Sequence, residues 1–252
     1  MIDLHSHILW GMDDGAADQV ESLGILAAAW TAGTTDIVAT PHCNAQYPYE
    51  PETVDRTLAE LAEKSGGQPK VHRGCEFHLS FDNIDHLLHQ PFVYTINSKQ
   101  YLLMECPDFH VGRYTEGVLR RLVDAGLVPI IAHPERNPAL RRKLDRVEAW
   151  VELGCLMQVT ALSVTGGFGG SAKDASVRLL DRGLVHVIAS DAHDVAFRHA
   201  RLDEAYEAVR LCYGVDTAEL LFLDNPEAII KGLPVSGGKQ TLAQPSRKWW
   251  QF

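Results

Sequence analysis

Seven short apolar runs, rich in β-branched residues, alternate with amphipathic stretches along this chain. The runs are Ile2–His7, Asp36–Thr40, Val71–Phe77, Tyr101–Glu105, Val128–His133, Leu156–Thr160 and Val185–Ser190. Helical patterns fall between them at Val20–Ala32, Glu52–Glu63, Thr115–Ala125, Leu140–Leu153 and Ala172–Arg182. Such alternation predicts an α/β fold, either a barrel or an open sheet. The run Val128-Pro129-Ile130-Ile131-Ala132 is almost wholly apolar, which suits a strand covered on both faces. Gly33, Gly66, Gly126, Gly154 and Gly183 each follow a helical stretch, as helix-ending glycines do. Asn225-Pro226 predicts a short late helix, with Asn225 as its cap and the proline in its first turn. Seven strands is one short of the familiar eight-stranded barrel. Barrels and open sheets alike place active groups at the carboxyl ends of their strands. At 252 residues, 46% of them hydrophobic, the chain can bury one large core. No domain boundary or repeat interrupts residues 1–234. Residues 235–252 read as a flexible tail, polar until Trp249-Trp250-Gln251-Phe252.

The strand ends are where the polarity lies. His7, His42, Glu76, Glu105, His133 and Asp191 end a run or follow it directly, and His5, Asp14 and His193 lie close by. His5-Ser6-His7 puts two imidazoles on one face of a strand, and Asp191-Ala192-His193 repeats the pattern at the last strand. Nine unpaired polar groups at one mouth would repel and lose hydration unless cations joined them. Glu76 and Glu105 add carboxylates able to bridge ions. Ions about 3.5–4 Å apart activate water and clamp both sides of an in-line displacement. A ligand set of nitrogen and oxygen suits manganese, iron or zinc better than a structural cysteine-rich zinc site. The residues therefore predict a metal-assisted hydrolase. Asp13 and Asp14 compete for one ligand role, and the sequence does not choose. Asp3 shares the face of His5 one step deeper, which suits a supporting role.

Other features read more plainly. His72, His86, His89, His186 and His199 are expected to be ordinary hydrogen-bonded residues; His78 could support Glu76, and His110 sits in a loop with no assigned role. The five cysteines form no CxxC pair and no disulfide framework. Cys43, Cys75 and Cys106 adjoin ligand candidates, so their thiols are expected to pack on the opposite side of the strand. No cysteine has an arginine six positions later, which removes a thiol-based phosphatase loop. A net charge of −10 argues against a broad basic nucleic-acid face. No run of 18 or more apolar residues predicts a membrane span. A signal peptide could not be cut without losing His5 and His7, so a cytoplasmic location is expected. The glycine-rich loop Thr165–Ser171 lacks the ending of a P-loop; it is either a mobile rim to the site or a plain connection.

The set Ile2-Asp3-Leu4-His5-Ser6-His7, Asp13-Asp14-Gly15, Thr40-Pro41-His42, Gly74-Cys75-Glu76, Ala132-His133-Pro134-Glu135-Arg136 and His186–His193 resembles the polymerase-and-histidinol-phosphatase (PHP) superfamily. Within it the chain is most similar to bacterial manganese-dependent protein-tyrosine phosphatases of capsule and exopolysaccharide operons. The likeness runs to about residue 233 and includes Leu221-Phe222-Leu223-Asp224-Asn225-Pro226. It implies a distorted (β/α)7 barrel of the TIM type holding three divalent ions, with Mn2+ favoured over Fe or Zn. It selects Asp14 over Asp13. It implies that His5, His7, Glu76 and Asp191 surround one ion, that Glu105 and His133 share Glu76 around a second, and that Asp14, His42 and His193 serve a third. Arg136 matches a catalytic arginine and Arg198 a phosphate-contacting one, with His193 a candidate proton donor. The implied substrate is a phosphotyrosine protein, the tail of a cognate bacterial kinase. A small-molecule phosphatase, for example on histidinol phosphate, is the alternative; an amidohydrolase-type enzyme fits less well, because Glu105 stands where those barrels often carry a modified lysine. Oligomeric state is left open.

Overall fold

The computed structural model describes residues 1–79, 84–107 and 111–236. Its strands are β1 (Ile2–Ser6), β2 (Asp36–Ala39), β3 (His42–Cys43), β4 (Lys70–Arg73), β5 (Glu76–His78), β6 (Tyr101–Glu105), β7 (Val128–Ala132), β8 (Leu156–Thr160) and β9 (Val187–Ala189). Its helices are α1 (Gln19–Thr31), α2 (Pro51–Lys64), α3 (Ile84–His89), α4 (Arg113–Asp124), α5 (Leu144–Leu153), α6 (Ala161–Thr165), α7 (Gly170–Asp181), α8 (Asp203–Tyr213), α9 (Val215–Glu219) and α10 (Asn225–Lys231). The α/β class read from the alternation holds, with every ladder parallel.

The strands form two sheets, ordered β1-β2-β4 and β3-β5-β6-β7-β8-β9. All seven expected runs carry strand. Val71–Phe77 is split at Gly74-Cys75 into β4 and β5, and beyond the run Asp36–Thr40 an unexpected short strand, β3, follows a break at Thr40-Pro41. The breaks have local causes. Pro41 has no N–H for a ladder. Gly74 lies so close to β2 that a Cβ would stand 2.7 Å from Val38 Cγ1. The outer edges approach each other through backbone hydrogen bonds, Asp191 N–H to His5 O and His7 N–H to Ala192 O, both 2.8 Å.

One buried cluster draws on both sheets: Ile2, Leu4, Val38, Tyr101, Leu103, Ile130, Ala132, Leu156, Val187 and Ala189, with Ile229 and Ile230 of α10 against them. Strand alternation explains how this core leads to polar groups. Tyr101, Leu103 and Glu105 share one face of β6, and the face of Val187 and Ala189 continues to Asp191. Each face is apolar along the strand and becomes polar at its carboxyl end. Helix α10 packs on the apolar part of the sheet.

Three details differ from the sequence expectation. The helix expected from Leu140 starts at Leu144, because Asn137 Oδ1 accepts from the N–H of Ala139 and Leu140 and turns the chain first. Asn225 does not cap α10: the preceding π-helical turn Leu220–Asp224 runs straight into it. Its amide is used elsewhere, donating to His186 O at 2.8 Å and accepting from Ser236 N–H at 3.2 Å. Helices α3, α6, α8 and α9 were not expected. The five helix-ending glycines all have positive φ. His110 and Trp249-Trp250 lie outside the described residues. Among the described residues no helix is long and apolar enough to cross a membrane.

Candidate metal centre

The carboxyl ends of the strands bring all nine predicted side chains together. Glu76 is at the centre and fully buried. Its Oε2 lies 3.3 Å from His5 Nε2, 3.3 Å from His7 Nε2 and 3.0 Å from His42 Nδ1. Its Oε1 lies 3.0 Å from His133 Nε2. Asp191 Oδ1 closes the first group, 3.3 Å from His5 Nε2 and 3.4 Å from His7 Nε2. Glu105 Oε1 stands 3.8 Å from His133 Nε2. On the open side, Asp14 Oδ1 is 3.4 Å from His42 Nε2 and 3.6 Å from His193 Nε2. Their ligand atoms form overlapping clusters, namely His7, Asp14, His42 and His193; His5, His7 and Glu76; His5, His133 and Asp191; and His42, Glu76 and Glu105. The clusters cut across the expected three groups: His7 joins the Asp14 group, His42 joins Glu76 and Glu105, and His133 joins His5 and Asp191.

The backbone is strained where two of these groups leave their strands. His133 has φ 33° and Asp191 φ 54°, left-handed conformations rare outside glycine. Both residues follow strand ends, so the turn swings the side chain into the mouth instead of continuing the ladder.

A layer of buried acceptors sets the imidazole tautomers. Gln158 Oε1 sits 3.0 Å from His5 Nδ1, and an amide oxygen can only accept, so Nδ1 carries the proton. Asp13 Oδ2 does the same for His7 at 2.6 Å. His193 Nδ1 donates to the carbonyl of Asp191 at 3.1 Å. In each case the Nε2 lone pair is left facing the mouth, as a metal ligand requires. Asp13 thus braces His7, while Asp14 reaches into the mouth. Asp13 also accepts from the N–H of His42 and Gly15, at 2.9 Å each. Asp3 supports the frame, its Oδ1 accepting from the N–H of His5 at 3.3 Å and Ser190 at 3.0 Å.

Several buried atoms of the site are left unpartnered. Glu76 Oε2, His42 Nδ1 and His193 Nε2 are buried atoms with no hydrogen-bond partner among the described residues. Burial opposes ionisation of Glu76, yet the surrounding imidazoles hold its carboxyl well below the ordinary range. Burial, and then the charge of Glu76, push Glu105 up. Burial and neighbouring His7 press His193 down to about 2, so it stays neutral. Against their burial, neighbouring carboxylates push His5, His7 and His42 the other way, upward. Unpartnered buried atoms beside crowded imidazoles and carboxylates are a set that divalent ions fit.

Arg136 and Arg198 meet at the same mouth. Both donate to Asp191 Oδ2, Arg136 through Nη1 and Arg198 through Nη2 at 2.7 Å. Arg136 Cζ lies 4.4 Å from the centre of the Phe168 ring, and Arg198 Cζ 6.0 Å from it. The glycine-rich loop therefore does reach the site.

A family model described as "Capsular polysaccharide synthesis, CpsB/CapC" matches residues 1–231. The chain belongs to the CpsB/CapC family. The tyrosine-protein phosphatase YwqE of Bacillus subtilis is 35% identical over 235 residues, covering 92% of each chain. The tyrosine-protein phosphatase CpsB of Streptococcus pneumoniae is 32% identical, covering 91% of this chain and 98% of its own. A crystal structure from work on YwqE and CpsB, described as unique metal-dependent tyrosine phosphatases, superposes with a TM-score of 0.88 at 33% identity and covers 98% of this chain and 100% of that one.

The other sequence expectations have plain outcomes. His72 pairs with Asp36 at 2.8 Å, His86 with Tyr94 at 2.5 Å and His89 with Asp85 O at 2.6 Å. His186 Nδ1 accepts from Met157 N–H at 3.1 Å, and His199 Nδ1 from Arg201 N–H at 3.3 Å. His78 lies opposite Glu105 in the β5–β6 register. All five cysteines are buried thiols. Gln158 and Phe168 carry roles the sequence reading missed. The signal for Gln158 was available: it is the one amide in the run Leu156-Met157-Gln158-Val159-Thr160. Phe168 gave no such signal, because its partners come from distant loops.

Proposed function

We propose that this CpsB/CapC family member is a metal-dependent protein-tyrosine phosphatase acting in capsule or exopolysaccharide synthesis. The observation that carries the reading is the surroundings of Glu76 Oε2, a buried carboxylate oxygen within 3.0–3.3 Å of three histidine nitrogens and without a hydrogen bond. The relatives named tyrosine-protein phosphatases supply the substrate class.

In this reading His5, His7, Glu76 and Asp191 hold one divalent ion, Glu76, Glu105 and His133 a second, and Asp14, His42 and His193 a third, with Mn2+ as the leading candidate. Bound ions would supply concentrated positive charge and lower the pKa of water at the mouth. The protein's own share is positioning and charge. Arg136 and Arg198 present fork-shaped donors that match phosphate oxygens. A tyrosine leaving group, with a parent pKa of about 10, departs more easily than an alkoxide. The proton role expected of His193 is set aside here: its Nδ1 proton is engaged with a carbonyl and Nε2 is bare, which suits a ligand. The two sheets, joined edge to edge by the β1–β9 hydrogen bonds, are read as one distorted seven-stranded barrel. The cellular substrate is proposed to be a phosphotyrosine tail of a cognate kinase, met in the cytoplasm.

The test is metal analysis of purified protein together with rates on a phosphotyrosine peptide and on histidinol phosphate, with added manganese. The reading expects bound divalent metal and preference for the peptide. Preference for histidinol phosphate would replace it with the small-molecule alternative.

A further inference from the structure

We propose that Phe168 is the positioning residue for the phosphate-binding arginines, an inference that rests on the phosphatase reading. The two guanidinium groups come from separate parts of the chain, Arg136 from the turn after β7 and Arg198 from the turn after β9. Both are permanently charged, and both converge on Asp191 Oδ2. Two cations on one carboxylate oxygen repel each other. Something must hold their planes together when a phosphate arrives.

The ring of Phe168 does so. It lies under both groups, 4.4 Å from Arg136 Cζ and 6.0 Å from Arg198 Cζ. An aromatic face attracts cations through its quadrupole. It leaves the in-plane N–H edges of a guanidinium free for phosphate oxygens. A second carboxylate would hold the arginines too, but it would compete with the incoming anion. Arg198 also shows the need: its Nε is buried without a hydrogen-bond partner among the described residues, so hydrogen bonds alone do not orient that plane.

The loop is shaped to deliver the ring. Gly166 ends α6 with φ 102° and Gly169 has φ 84°, turns a side chain would strain. Gly167 passes so close to Leu162 that a Cβ would lie 3.0 Å from Leu162 Cδ2. Phe168 N–H returns to Leu162 O at 3.4 Å. The glycines thus serve the tight return that brings one phenyl ring to the mouth, instead of cradling phosphate themselves.

The experiment compares Phe168→Leu, Phe168→Tyr and Phe168→Ala in the metal-loaded full chain. Inorganic phosphate binding is measured by calorimetry, and kcat and KM on para-nitrophenyl phosphate, with metal content determined for each variant. Phosphate binding is expected to weaken about tenfold in the Leu and Ala variants at unchanged metal content, and to recover in the Tyr variant, as loss and return of a π face require. KM should rise more than kcat falls. Wild-type affinity in Phe168→Leu would overturn the proposal, since apolar volume would then suffice. So would unchanged affinity in Phe168→Ala. Because phosphate binding needs no turnover, a wild-type protein inactive on aryl phosphates would count against the phosphatase reading and leave this result separately legible.

Discussion

Asp13 grips His7 from behind: its Oδ2 accepts the Nδ1 proton at 2.6 Å while His7 Nε2 faces Glu76 and Asp191. The same carboxylate accepts from the N–H of Gly15 and His42. One side chain thus fixes a ring, the loop carrying Asp14 and the start of β3. Asp13→Ala is expected to weaken metal affinity roughly 10- to 100-fold, the range for lost supporting partners. Metal titration of the apo protein measures it. Affinity equal to wild type would remove Asp13 from the centre's support.

Gly15 belongs to the same arrangement. A Cβ there would stand 2.2 Å from His7 O and 2.5 Å from His7 Cβ, and neither atom can move without shifting β1. Gly15→Ala should therefore lower the melting temperature and the metal affinity together. The overpacking cost is on the order of 1–3 kcal/mol. A variant with normal Tm and normal metal content would show that the loop can retreat freely.

Arg136→Ala should cut kcat about a hundredfold or more with metals retained, as removal of a transition-state donor does. Metal analysis must accompany the kinetics, because Asp191 loses a partner in the variant. Unchanged turnover at full metal content would take Arg136 out of the mechanism.

Chelation should abolish hydrolysis, and added divalent ions should restore it. Ligand imidazoles must be neutral to bind, so acid should release metal as well. Turnover that survives exhaustive chelation would contradict the metal-dependent reading.

His186 predicts a pH dependence away from the metals. Burial pushes its pKa down from 6.5 to about 4. The folded protein therefore keeps it neutral while the unfolded chain already takes up a proton. Stability from this site is complete above about pH 6.5 and is lost as pH falls toward 4. The full difference corresponds to about 3 kcal/mol as an upper limit. In metal-free protein, the stability gap between wild type and His186→Asn should narrow between pH 7 and pH 5, read by denaturant unfolding. A constant gap would mean that His186 does not titrate differently on folding.

Much of this molecule is visible along the chain. Repeated alternation of apolar runs with amphipathic stretches commits it to parallel strands and crossover helices, because each local pattern can bury only one way. Strand periodicity then puts His5 with His7, and Leu103 with Glu105, on shared faces before any tertiary contact is known. The gathering of nine acids and imidazoles at one mouth was legible for that reason: such residues at the ends of apolar strands have few bland uses. What adjacency in sequence could not show is which groups meet across strands. Asp13 and Asp14 are neighbours of the same type, and only the fold sends one behind His7 and the other into the mouth. Gln158 finds His5, and Phe168 finds both Arg136 and Arg198, through loops and strands far apart in the chain. Asn225 looks like a helix cap by itself and becomes a tie to His186 and Ser236 once they pack beside it. Local pattern sets the element and its face, since backbone sterics and burial act over a few residues; the partner of a buried polar atom is decided only when the whole core closes around it.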